Sequence, residues 1–340
     1  MADLHNQNII NEIRAIIASA RENVARQINN ELLQAYWNIG KIIVEYEQKG
    51  NLQADYGKKL LKSLSKDLTN ELGKGFSVSN LQFMRRFYIN YQIQQTVSVK
   101  LSWSHFCELL SVSDKDARSF YEKEAINSNW SVRELKRQID TSLFQRLLLS
   151  DGNANKEKVL SLANEGISFA KPNDILKDPY VFEFLGVPEN KPILEKDLEK
   201  ALIAKIEKFL LELGRGFMFV GSQQRITLGN THYYVDMVFY NKVLKAYVLI
   251  DLKMGGLKPE NIGQMNMYVN YYANEINDEG DDKPIGIILC ADASEVVAEY
   301  ALGGLENQIF ASKYVYYIPD KEQLIRQVED VIKGMNGEDC

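Results

Sequence analysis

The sequence predicts an all-helical N-terminal domain followed by an α/β domain in which helices flank a mixed β-sheet. Three observations predict it. Apolar residues recur at three- and four-residue spacing through the first 150 positions, the period of a buried helix face. Beyond them, runs rich in β-branched and aromatic residues alternate with amphipathic segments, the pattern of a sheet covered by helices. Between the two lies SDGNANK, residues 150–156, polar and glycine-containing, which reads as a linker. The expected boundaries are 1–150 for the helical domain, 151–165 for the connection and 166–340 for the α/β domain.

The helical elements follow in order. NEIRAIIASARENVARQINNELLQAYWNIGKIIVEYEQ forms one long helix, stopped at Gly50 and Asn51. A second runs from about Tyr56 to Leu72. In GFSVSNLQFMRRFYINYQ, Ser77 or Ser79 caps a helix whose apolar face holds Leu81, Met84, Phe87 and Tyr88. Another helix begins near Ser102. In NWSVRELKRQIDTSLFQRLLL, Ser131 and Glu134 form a capping box, each side chain satisfying the other's backbone N–H.

The second half reads differently. EKDLEKALIAKIEKFLLELG is an amphipathic helix ended by Gly214. FMFVGSQQRI, THYYVDMVFY and AYVLIDLK are strands. PENIGQMNMYVNYYANEI is a helix with Pro259 at its start. PIGIILCA, wholly apolar, fits a strand buried on both faces. ENQIFASKYVYYIP adds a last strand and DKEQLIRQVEDVIK a closing helix.

Composition narrows the class. The 340 residues are 45% hydrophobic and 25% charged, ordinary for a soluble globular protein. No apolar run approaches the roughly 20 residues a bilayer crossing needs, and the start lacks the basic-then-apolar pattern of a secretory leader. Three scattered cysteines, Cys107, Cys290 and Cys340, fit a reducing compartment, so a cytoplasmic location is expected. Residues 1–150 carry a net charge of +4 and the remainder −10. A basic front half and an acidic rear half fit a nucleic-acid-binding module joined to a metal-binding one.

Charged residues interrupt the strands of YYVDMVFYNKVLKAYVLIDLKMG. With a hairpin loop centred near Lys242 and Val243, Asp236 faces Leu249. Alternation then sets Leu249, Asp251 and Lys253 on one face. Asp236 shares that face if the register is even, roughly 7–8 Å from Asp251 on the diagonal; a slip of one residue removes it. Two such carboxylates repel, and a divalent cation relieves the repulsion. Mg²⁺ takes one or two carboxylates together with waters and substrate phosphate. A lysine beside them stabilises charge growing on a phosphate oxygen. Gln264 and Tyr268 lie one helical turn apart in the following helix, and Glu199 sits in the helix before the sheet. The same spacing also fits a structural ion-pair cluster at a strand end.

This order of residues resembles the PD-(D/E)XK nuclease superfamily: a helix with Glu199, a strand with Asp236, D-L-K at Asp251 to Lys253, and a helix with Gln264 and Tyr268. Longer phrases are similar to its YhcG-type branch. They are DLEKALI, YYVDMVFYN, YVLIDLKMGGLKPENIGQMNMYVNYY and, in the front half, ELLQAYWNIGKII, GFSVSNLQFMRRFY, LSWSHFCELL and NWSVRELKRQI. The resemblance implies a restriction-endonuclease-like core and an Mg²⁺- or Mn²⁺-dependent endonuclease that hydrolyses phosphodiester bonds of nucleic acid, with DNA the expected substrate. It implies metal ligation by Asp236 and Asp251, with Glu199 as the helical acid. Lys253 is the implied catalytic lysine, and Gln264 and Tyr268 the Q-x-x-x-Y pair. Val235 stands where the superfamily's name has proline.

In the front half, a capped helix start followed by Arg85 and Arg86 suits a nucleic-acid-binding helix. Ser79, Asn80, Gln82, Arg85 and Arg86 are the expected contacts, and Tyr88 and Tyr91 the aromatic surfaces for stacking on single-stranded bases. Cutting both strands of a duplex calls for two sites, so a homodimer is expected. A catalytically silent nucleic-acid-binding protein, or a protein-interaction scaffold keeping the same fold, is the alternative.

Overall fold

The computed structural model describes residues 2–49, 54–91, 100–150, 155–167, 172–177, 179–187, 194–292 and 308–336. The expected helix stop at Gly50 and Asn51 lies outside them. The chain forms two compact units, residues 1–118 with 125–136, and residues 119–124 with 137–340.

The first unit contains α1 (Ala2–Lys49), α2 (Ala54–Leu72), α3 (Val78–Asn90) and α4 (Trp103–Leu109), and parts of α5 (Lys115–Asn127) and α6 (Val132–Asp140). Ser77 is the cap of α3; its side chain accepts the Asn80 N–H at 3.2 Å. The Ser131–Glu134 capping box forms as the sequence predicts, with bonds of 3.3 and 2.5 Å. Leu81, Met84 and Phe87 of α3 are fully buried. An aromatic cluster closes the unit, with Phe87 against Trp103 and Phe106 at 5.4 and 4.9 Å between centroids.

The second unit contains α7 (Leu143–Leu149), α8 (Lys156–Glu165), α9 (Glu195–Ala204), α10 (Ile206–Leu213), α11 (Pro259–Tyr271) and α12 (Lys321–Asn336). Among the described residues its strands are β1 (Tyr180–Val181), β2 (Phe217–Leu228), β3 (Thr231–Asn241), β4 (Ala246–Gly256), β5 (Ile285–Asp292) and β6 (Gln308–Val315), in the order β1-β6-β5-β4-β3-β2. β2, β3 and β4 form an antiparallel meander, while β4, β5, β6 and β1 run parallel. The sheet is mixed, as predicted, and β5 is buried on both faces. Val248, Ile250 and Leu252 of β4 pack toward α9 and α10, and Leu249 packs toward α11.

Three expectations change. Residues 156–165, expected within a linker, form α8, because Asn155 caps it by accepting the Lys158 N–H at 2.8 Å. The helix expected from 195 to 213 breaks at Lys205, whose ammonium bonds the carbonyls of Phe184 and Leu185 at 2.7 and 3.2 Å. The compact units divide before residue 150, because Arg137 and Arg146 bury their guanidinium groups against Glu212. That attraction holds the end of α6, from Arg137, and all of α7 within the sheet unit.

Glu124 is a buried acid in this unit, 3% exposed. Its Oε1 accepts the Ile167 N–H at 2.7 Å. Burial pushes its carboxyl from 4.5 up to about 7, with Lys177 and Arg215 only partly opposing. A raised acid pKa means the folded state holds the proton longer, so stability falls as pH rises from 4.5 to 7. Glu124→Gln keeps the acceptor and removes the charge. Melts should show the variant more stable by about 1–3 kcal/mol above pH 7, and matching wild type near pH 4.

Candidate active site

The β3–β4 hairpin positions the acidic residues. The ladder runs from Met237 opposite Ile250 to Asn241 opposite Ala246. The turn is therefore centred one residue later than the sequence suggested, and Val238, not Asp236, faces Leu249. Asn241 causes the displacement: its Oδ1 accepts the N–H groups of Val243 and Leu244 at 2.9 and 3.2 Å, and Lys245 closes the turn at φ +48°. The register moves by two residues, and the ladder ends at Met237 and Ile250, one residue short of Asp236. Val235 and Val238 both join the apolar cluster of α11, so the alternation of β3 breaks between them, at Asp236; the Asp236 Oδ2 accepts the Leu252 N–H at 2.9 Å.

α11 covers the face of Val238 and Leu249. A Cβ on Gly286 of β5 would fall 2.5 Å from Met265 Cγ, so glycine there is what lets the helix approach the sheet. Ile262, Met265 and Val269 are buried by that approach, worth about 1.5–3 kcal/mol each. Tyr268 is fully buried. Its hydroxyl donates to the Tyr234 carbonyl at 2.9 Å and accepts from Gln264 Nε2 at 2.5 Å. The predicted one-turn pair thus exists, and it ties α11 to β3 two residues before Asp236.

α9 supplies a second side. Glu195 and Glu199, one turn apart, approach Lys253 and Asp236. Lys253 Nζ lies 2.8 Å from Asp251 Oδ2 and 3.6 Å from Glu195 Oε1. Glu199 reaches Asp236 through Gln223, whose Nε2 donates to Glu199 Oε2 at 2.9 Å and to Asp236 Oδ1 at 3.2 Å.

The electrostatics follow from burial. Asp251 is 2% exposed. Burial first, and the Asp236 carboxylate second, push its carboxyl up to about 7, against the pull of Lys253. For Lys253, burial alone would lower the ammonium's pKa; Asp251 and Glu195 outweigh it and hold the group above the ordinary lysine value. Burial and Asp236 also raise Glu199, although Gln223 opposes them.

These residues fit a hard divalent cation. The donors are all oxygens, and Asp251 Oδ2 is buried against the Lys253 ammonium 2.8 Å away. A cation would relieve the repulsion between Asp251 and Asp236. Among the described residues no group of three or more Asp, Glu, His or Cys side chains is gathered to hold a metal. The direct set is therefore a pair, Asp236 and Asp251, with the Gln223 amide standing between Asp236 and Glu199. Sequence reasoning missed Gln223 and Glu195. Strand parity pointed to Gln223 only once the β2–β3 register was known.

Of the expected nucleic-acid contacts, Ser79, Gln82 and Arg86 are exposed at three- and four-residue spacing on α3. Two others are engaged within their own unit. Asn80 donates to the Gly75 carbonyl and accepts from Trp103 Nε1 at 2.9 Å, and Arg85 pairs with Glu47 at 2.7 Å. Tyr88 packs on Trp37 and Tyr91 on Phe87 and Phe106, at centroid distances of 4.8, 5.2 and 5.3 Å. Both rings are therefore part of the aromatic cluster, not free stacking surfaces.

Fold and site together define a PD-(D/E)XK-type nuclease domain behind a helical domain. Residues 173–329 match the YhcG PDDEXK nuclease domain, and residues 12–146 match the DUF1016 N-terminal domain. "Putative nuclease YhcG" of Escherichia coli (strain K12) is 37% identical over 350 residues, covering 94% of this chain and 92% of that one. The chain belongs to the YhcG family of PD-(D/E)XK nucleases. A repair endonuclease from Pyrococcus abyssi, known from its crystal structure, overlaps 37% of this chain and 49% of its own. Its identity is 16% and its TM-score 0.26, too slight a likeness to bear on function. No helix among the described residues is long and apolar enough to cross a membrane.

Proposed function

We propose that the chain is a divalent-metal-dependent endonuclease that hydrolyses phosphodiester bonds in DNA. The observation that carries this reading is the meeting of Asp236, Asp251 and Lys253 where the β3–β4 ladder ends: Asp236 accepts the Leu252 N–H, and Asp251 lies 2.8 Å from Lys253. Asp236 and Asp251 would hold Mg²⁺ or Mn²⁺. A cation there supplies Lewis acidity toward a phosphodiester oxygen. Lys253, protonated at neutral pH, orients an attacking water and stabilises negative charge on the phosphate in the transition state. Gln264 and Tyr268 act as a positioning pair: their bond, and that of Tyr268 to Tyr234, hold α11 over the carboxylates. Glu199 braces Asp236 through Gln223.

The test is incubation of plasmid DNA and, separately, RNA with Mg²⁺ or Mn²⁺. Cleavage blocked by chelator and restored by metal is expected on DNA. Absence of cleavage on every substrate, with salt-sensitive binding retained, would instead favour a silent binding protein.

In the helical unit, Ser79, Gln82 and Arg86 are proposed to contact nucleic acid, Arg86 through phosphate. Arg86→Ala should weaken DNA binding about equally across sequences and reduce the salt slope of log K by about 1. A slope equal to wild type in fluorescence anisotropy would remove α3 from the interface. Cutting both strands of a duplex calls for two such sites, so a homodimer is proposed, and sedimentation decides it. A cytoplasmic location is proposed on the sparse, scattered cysteines of the sequence, Cys107, Cys290 and Cys340.

A further inference from the structure

Gln223 faces Asp236 across the β2–β3 ladder. Ser222 pairs with Met237 and Gln224 with Val235, so residues 223 and 236 are in register between them. Yet Gln223 has φ +49°, the left-handed region, inside a strand. That conformation is unfavourable for any residue bearing a Cβ, and glycine would adopt it freely. The residue is exposed, so core packing does not demand this side chain. Strain of this kind at a functional site is held in place by what it achieves.

What it achieves here is the aim of one amide. Gln223 Nε2 donates to Glu199 Oε2 at 2.9 Å and to Asp236 Oδ1 at 3.2 Å, using both hydrogens of the –NH₂ group. Asp236 Oδ2 takes the Leu252 N–H, so the carboxylate is held at both oxygens, once by backbone and once by Gln223. Two like-charged acids are kept apart by a neutral donor that bonds both.

We propose that Gln223 is a positioning residue: its left-handed backbone aims an amide that fixes the orientation of Asp236 against Glu199 and so sets the geometry of cation binding. The inference rests on the reading of Asp236 as a metal ligand. Hydrogen-bond partners of metal-binding carboxylates orient them, and losing such a partner costs about 10–100-fold in metal affinity. Gln223 is not part of the acid–acid–lysine set or of the Q-x-x-x-Y pair.

The test is calorimetric titration of the full chain with Mn²⁺, without nucleic acid, together with thermal melts of wild type, Gln223→Gly and Asp236→Ala. Gln223→Gly should bind Mn²⁺ about 10–100-fold more weakly than wild type, with a melting temperature equal or higher, because glycine relaxes the left-handed position. Asp236→Ala should lose the site. Wild-type Mn²⁺ affinity in Gln223→Gly, with binding lost in Asp236→Ala, overturns the role of Gln223 and leaves the metal site standing. A marked fall in melting temperature for Gln223→Gly makes the residue structural, which also overturns it. Identical titrations of Asp236→Ala and wild type overturn the metal site and the Gln223 role together.

Discussion

Lys253→Ala is expected to lower DNA cleavage by about 10²–10³-fold, the usual cost of deleting one preorganised electrostatic group. The expectation follows from how the ammonium is kept charged. Its side chain is 18% exposed, and burial alone would favour the neutral amine. Asp251 at 2.8 Å and Glu195 at 3.6 Å reverse that preference. A charge held ready beside the carboxylates needs no reorganisation when phosphate charge develops. Folding should be little affected, because Asp251, with its carboxyl already near 7, can take up a proton when its cationic neighbour is gone. Lys253→Arg keeps the charge but replaces a compact ammonium with a planar fork, so it should recover only part of the rate. Plasmid-nicking rates at saturating metal, set beside circular-dichroism melts, separate the two effects. A wild-type rate in Lys253→Ala would remove this lysine from the chemistry.

The largest stability loss is expected at Glu212, which touches no part of the candidate site. Its side chain is fully buried, as are those of Arg146 and Lys177. Its carboxylate meets Arg146 at 2.5 Å and Arg137 at 3.1 Å, accepts the Val181 N–H at 3.0 Å, and its own carbonyl accepts from Lys177. Glu212→Ala would strand buried positive charges in a dry interior, and such a break costs about 3–5 kcal/mol. Urea denaturation at pH 7 measures it; a loss under 1 kcal/mol would show that water or rearrangement compensates.

The same group sets an acid limit. Burial would raise its carboxyl, but Arg146, Lys177 and Arg137 pull it down from 4.5 to about 2. A depressed acid pKa contributes stability that is fully present above pH 4.5 and lost as pH falls toward 2. Glu212→Gln should therefore flatten the acid limb of the stability curve while lowering its plateau.

By itself the sequence determined what local periodicity and local bonds control. A period of two along β4 set Asp251 and Lys253 on one face. A spacing of four set Gln264 beside Tyr268, and the Ser131–Glu134 box marked a helix start. Alternation of apolar strands and amphipathic helices announced the mixed sheet. Only the tertiary structure decided what depends on partners distant in the chain. Asn241 and Lys245 chose the hairpin register, and the Leu252 N–H held Asp236 beside Asp251. The left-handed turn at Gln223 brought an amide between two acids, a conformation with no signature in residue spacing. Asn80 and Arg85 were drawn into bonds with Trp103 and Glu47, which solvent-face reasoning on α3 alone could not show. Arg146 and Glu212, 66 positions apart, drew α7 onto the sheet unit and overrode the polar break at 150–156. The physical reason is range. Helix and strand periods are written in neighbouring residues, whereas buried charge pairs and strand register are settled by groups that meet only once the chain has folded.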